Sequence, residues 1–92
     1  MKPISIIIIT LNEEKRIGSL LESLSLQTYQ NFEVIVIDSN SQDSTVQLAL
    51  SYSEILPSLT VERIATKGVG LGRNTGAKLA THEQLLFLDV AD

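Results

Sequence analysis

Two aliphatic runs of this 92-residue chain end on a carboxylate, Phe32-Glu-Val-Ile-Val-Ile-Asp38 and Leu85-Leu-Phe-Leu-Asp89. A carboxylate at the end of a buried strand can hydrogen-bond a base, bind a ribose hydroxyl or hold a divalent cation. Asp38 also reads as a helix cap or an Asx-turn, common uses of aspartate. Asp89 and Asp92 lie three residues apart. That spacing can bring two carboxylates to one Mg2+ or Mn2+, hard cations that take oxygen ligands; the plain alternative is a solvated chain end. The third chemical feature is the loop Lys67-Gly-Val-Gly-Leu-Gly72, with Gly76 beyond it. Position 73 is Arg, so G-x-G-x-x-G is not met, and no G-x-x-x-x-G-K-[ST] is present. What remains is that glycines admit a close ligand and that a helix N-terminus attracts anions. Arg73 in the first turn of that helix would oppose its dipole, so it is expected to meet a phosphate or a strand-end carboxylate. His82 lies in a polar stretch and is expected to be exposed.

These residues need elements to hold them. Residues 4–10, Ile-Ser-Ile-Ile-Ile-Ile-Thr, form a β-branched run suited to a strand covered on both faces. Asn12 is expected to cap a helix whose first turn holds Glu13 and Glu14 and whose apolar stripe is Ile17, Leu20, Leu21 and Leu24, ending near Gln27. Residues 32–38 repeat the buried-strand pattern. The polar loop 39–45 leads into a helix with Val46, Ala49 and Leu50 on one face, closed by Pro57. A weaker strand, 59–65, precedes the glycine loop, a helix over 71–80 and the last strand. Alternating strands and helices predict a three-layer α/β/α, Rossmann-like domain with a mainly parallel four-stranded sheet. Its carboxyl edge, where ligands bind in open α/β sheets, carries Thr10, Asp38 and Asp89.

Composition excludes several functions. Seven Lys plus Arg stand against eleven Asp plus Glu, a net charge of -4 with no basic cluster, which argues against nucleic-acid binding. The absence of cysteine excludes disulfides, thiolate metal sites and a cysteine nucleophile, and points to a cytoplasmic setting. One histidine cannot build a multi-histidine zinc site. The run Ile6 to Ile9 is interrupted by Thr10, Asn12 and Glu13 too early for a signal peptide, and no segment approaches the ~20 apolar residues of a membrane span. Aromatic content of 4% leaves an aliphatic core, which favours layered α/β packing.

Taken in order, Ser5-Ile-Ile-Ile-Ile-Thr-Leu-Asn-Glu-Glu14, the segment Leu21 to Asp38, Ser41-Gln-Asp-Ser-Thr45, Lys67-Gly-Val-Gly-Leu-Gly-Arg-Asn-Thr-Gly76 and Leu86-Phe-Leu-Asp89 closely resemble the amino-terminal half of family 2 glycosyltransferases, which have the GT-A fold. The resemblance covers essentially the whole chain. It implies a nucleotide-diphosphate sugar as ligand, with Thr10 and Asn12 lining the nucleobase pocket and Glu14 at the acidic position just after it. It further implies Asp38 at the base or ribose, Arg73 beside the phosphates, and Asp89 with Asp92 in the metal motif for Mg2+ or Mn2+. Two departures stand out. Ser39 replaces a second aspartate after strand two, and Ala91 replaces the middle aspartate that is the family's direct metal ligand. The family's acceptor-binding half and catalytic base lie beyond residue 92. The expectation is therefore a donor-binding part, residues 1–92, truncated at the metal motif, located in the cytoplasm or at the cytoplasmic membrane face within a longer protein. The alternative is a non-catalytic α/β module that binds nucleotide or self-associates through uncovered sheet. A nucleotidyltransferase is disfavoured, because no glycine-rich basic loop follows strand one.

Overall fold

A computed structural model describes residues 2–65 and 69–90, with Val69 and Asp89 described as backbone. The elements are β1 (Ile4–Thr10), α1 (Ile17–Ser25), β2 (Phe32–Asp38), α2 (Thr45–Leu50), β3 (Leu59–Arg63), α3 (Val69–Leu79) and β4 (Gln84–Asp89). The sheet is parallel throughout, in the order β3-β2-β1-β4. Thr10 stands opposite Asp38 and Ile9 opposite Asp89, so the polar strand ends share one edge as the sequence predicts.

The alternation of strand side chains divides the core in two. Ile6, Ile8, Phe32, Val34 and Val36 pack with Ile17, Leu21 and Leu24 of α1, Ala49 of α2, and Leu56. Ile7, Ile35 and Ile37 form the opposite layer with Ile9, Ile64 and Ala80. α3 covers this second face so closely that glycine is required. A Cβ on Gly76 would lie 2.5 Å from Ile7 Cγ2, and one on Gly72 would lie 3.1 Å from Ile9 Cγ1. These two glycines therefore serve helix-to-sheet packing, not the ligand approach expected of them.

Several boundaries shift for identifiable reasons. Asn12 does not cap α1: it adopts φ 53°, and Arg16 flanks the helix. Glu13 and Glu14 form a turn whose Glu13 carbonyl accepts from Arg16 N and Ile17 N at 3.0 and 2.9 Å. In α2, Thr45 and Ala49 face the core while Leu50 is half exposed. That helix ends well before Pro57, which therefore does not stop it. β3 ends at Arg63, earlier than expected, and α3 begins at Val69.

At the amino-terminal pole, Glu33 sits buried opposite Ser5. Its Oε2 accepts from Ser5 Oγ at 2.6 Å, Thr81 N at 2.6 Å and Thr81 Oγ1 at 2.9 Å, and His82 N donates to Ser5 Oγ at 3.3 Å. His82 is thus half-buried beside this knot and not fully exposed. Burial pushes the Glu33 carboxyl up, but the Ser5 and Thr81 bonds, with the His82 charge, outweigh it and hold it below its ordinary value. On β4, Leu85, Leu86 and Phe87 are exposed by 40%, 44% and 39%, so both faces of this strand carry uncovered apolar surface.

The glycine packing predicts that Gly76→Ala costs about 1–3 kcal/mol through overpacking against Ile7. Gly70 has nothing within 4 Å of a built Cβ, so Gly70→Ala is expected to be neutral or to stabilise by about 0.5–1 kcal/mol through helix propensity. Thermal unfolding of the pair measures both, and equal effects would refute the packing argument.

Candidate functional site

The carboxyl edge is organised around Asp38, which is 0% exposed. An ionised carboxylate so placed must find donors. Oδ1 accepts from Thr10 Oγ1 at 2.7 Å and Ser41 Oγ at 2.6 Å, and Oδ2 accepts from Ser41 N at 2.8 Å. Arg63 Nε lies 3.5 Å from Oδ2, and Arg63 Nη2 donates to the Ser41 carbonyl at 2.9 Å. Burial pushes the Asp38 carboxyl up; the side-chain and backbone bonds of Ser41, that of Thr10 and the Arg63 charge prevail and leave it below the usual aspartate value.

Around this centre the β1–α1 and β2–α2 loops interlock. Asn12 N donates to Ser41 Oγ at 2.8 Å, and Gln42 N returns a bond to Asn12 Oδ1 at 2.8 Å. Glu13 N donates to Thr45 Oγ1 at 2.8 Å and Glu14 N to Asp43 Oδ2 at 3.3 Å, while Ser44 N donates to Glu14 Oε1 at 2.9 Å. The amides of residues 12–14 are thereby occupied, so this loop offers no ready anion nest of backbone N–H groups. The exposed polar groups of the two loops include the side chains of Asn12 in the first and of Asn40, which sits at φ 64°, in the second.

Thr10, Asn12, Glu14 and Asp38 are thus brought together. Arg73 comes from α3. It is the fifth residue of α3, beyond the first turn, and its guanidinium carbon lies 5.4 Å from the Phe87 ring centroid. This is a cation–π contact with the following strand, a neighbour that the expectation of a carboxylate or phosphate did not include. The Asp89 backbone ends β4 opposite Ile9, and Asp92 lies outside the described residues. Among the described residues no group of three His, Cys, Asp or Glu could hold a metal ion, and the Asp38 oxygens are taken by donors. Among the described residues no helix is long and apolar enough to cross a membrane. Ser41, Thr45 and Arg63 escaped the sequence reading. Ser41 and Thr45 lay within a quoted motif, and a buried Asp38 demanded donors, but the partnership with Arg63 depends on the β2–β3 register, in which Asp38 and Arg63 are opposed.

A family model described as Glycosyl transferase family 2 matches residues 5–91. An uncharacterized glycosyltransferase of Haemophilus influenzae is 38% identical over 89 residues, which are 97% of this chain and 29% of that protein. The crystal structure of S. aureus TarS 1-349 in complex with UDP-GlcNAc superimposes with a TM-score of 0.89 at 40% identity, covering 98% of this chain and 26% of that one. Mannosyltransferase PcManGT from Pyrobaculum calidifontis, in complex with GDP-Man and Mn2+, gives a TM-score of 0.87 at 29% identity over 95% of this chain and 27% of that one. The chain spans little more than a quarter of the length of each.

Because Asp38 titrates lower in the fold than when unfolded, where aspartate lies near ~3.9, its stabilising contribution is complete above that value and is lost as pH falls through the native one. Asp38→Asn should cost about 1–3 kcal/mol at neutral pH, since an amide NH2 faces donors, and should make stability fall less steeply below about pH 4. Thermal melts across the acid range compare the two proteins; superimposable acid limbs would contradict the assignment.

Proposed function

This chain belongs to glycosyl transferase family 2 and has the GT-A fold, and from that premise we propose that it is the donor-binding part of an enzyme moving a sugar from a nucleoside diphosphate to an acceptor hydroxyl. One observation carries the reading: the chain superimposes over 98% of its length on a structure holding UDP-GlcNAc, with its interlocked polar loops at the sheet edge where α/β folds bind ligands. Thr10 and Asp38 would order the nucleoside pocket from beneath, Asn12 would face the base, and Glu14 would hold the second loop in place. Arg73, exposed over Phe87, would direct its remaining N–H groups to the diphosphate.

In this scheme the acceptor oxygen attacks the anomeric carbon, its proton passes to a carboxylate base, and the nucleoside diphosphate leaves. That base and the acceptor site would come from outside these 92 residues. Relatives holding Mn2+ support a divalent cation. Asp89 and Asp92 are the oxygen ligands this chain would bring, and the cation would neutralise charge on the diphosphate. A second reading, a self-associating module, is favoured by the exposed Leu85, Leu86 and Phe87 of β4. Light scattering at rising concentration tests it, and a monomer throughout would refute it.

Calorimetric titration of UDP, GDP and dTDP, each with and without Mn2+, tests the donor-binding proposal. Binding of at least one nucleotide is expected, at a Kd between about 1 μM and 1 mM. Heat from none of the three, with the fold intact by circular dichroism, would overturn it.

A further inference from the structure

Asp38 makes an unsuitable direct ligand contact here, being fully buried with Thr10, Ser41 and Arg63 around its oxygens. Whatever a ligand meets at this edge is what Asp38 organises. Arg63 holds both ends of the Asp38–Ser41 turn, the carboxylate at one end through Nε and the carbonyl at the other through Nη2. Within that turn Asn40 occupies the left-handed region, at a cost of about 1–2 kcal/mol that local bonding must offset. Ser41 then passes its position on, because its Oγ accepts from Asn12 N and so fixes the β1–α1 loop. The order of dependence runs from β3 through β2–α2 to β1–α1.

We propose that Arg63 is a positioning residue for the nucleoside of a nucleoside diphosphate, acting through Ser41 and Asn12. This rests on the donor-binding reading above. A half-exposed arginine beside a carboxylate commonly contributes little when both groups are solvated. Here the carboxylate is buried, and the planar fork reaches two acceptors at once, which a lysine ammonium does less well.

The test is UDP titration of the whole 92-residue chain and its R63K and R63M variants, with amide NMR spectra of each before ligand is added. R63M should move the Asn12 and Ser41 amide signals and weaken UDP binding by at least about tenfold, while R63K recovers part of that loss. R63K also serves if R63M does not fold. Unmoved amide signals in the variants would overturn the inference, as would UDP affinity within about twofold of the parent. Equal weakening in both variants, without rescue, would reduce Arg63 to a structural role. Failure of the parent chain to bind UDP, GDP or dTDP would instead bring down the donor-binding reading, and this inference with it.

Discussion

A carboxylate cut off from water has to be met by donors, and that requirement shapes the whole carboxyl edge of the sheet. Asp38 closes β2 with no exposure. The fold answers with a hydroxyl from β1, a hydroxyl and an amide from the next loop, and a guanidinium from β3. Ser41, drawn in by this demand, becomes the post on which the β1–α1 loop hangs through Asn12. The polar surface available to a ligand is therefore a by-product of satisfying one buried charge.

The same device occurs at the other pole on the opposite face. Ser5 lies opposite Glu33 as Thr10 lies opposite Asp38, each a β1 hydroxyl donating to a β2 carboxylate in register. Strand alternation sends the first pair toward the α3 layer and the second toward the α1 and α2 layer. β2, buried along its entire length, is pinned at each end by a bond to its neighbour. A one-residue slip between these strands would leave both acids unpaired, so the hydroxyls enforce the register that the aliphatic pattern favours.

The strands were legible because β-branched runs leave little else to form, and alternation with helical segments gave the parallel three-layer order. Asp38 was legible as a special residue by its position at a strand end. The start of α1 was misread for a physical reason: Asn12 has the right chemistry for a cap, but its side chain and amide are committed to the neighbouring loop, a tertiary demand that local propensity does not contain. The cation–π neighbour of Arg73, Phe87, was not legible because it comes from the following strand. Gly72 and Gly76 sit four apart on one helical face, a spacing that signals close packing as readily as ligand approach. Arg63 was invisible until β2 and β3 were aligned, and the role of Glu33 emerged only with the β1–β2 register that sets it opposite Ser5.

The contact of Gly72 and Gly76 with β1 has a character unlike that of the two carboxylate knots. It contains no ionisable group and no long side chain, so it is indifferent to protons and to salt, and it depends on shape alone. Acid therefore loosens this molecule unevenly. Protonation weakens the two carboxylate knots at the rims of the sheet, whereas the packing of Gly72 and Gly76 against Ile9 and Ile7 offers it nothing to act on.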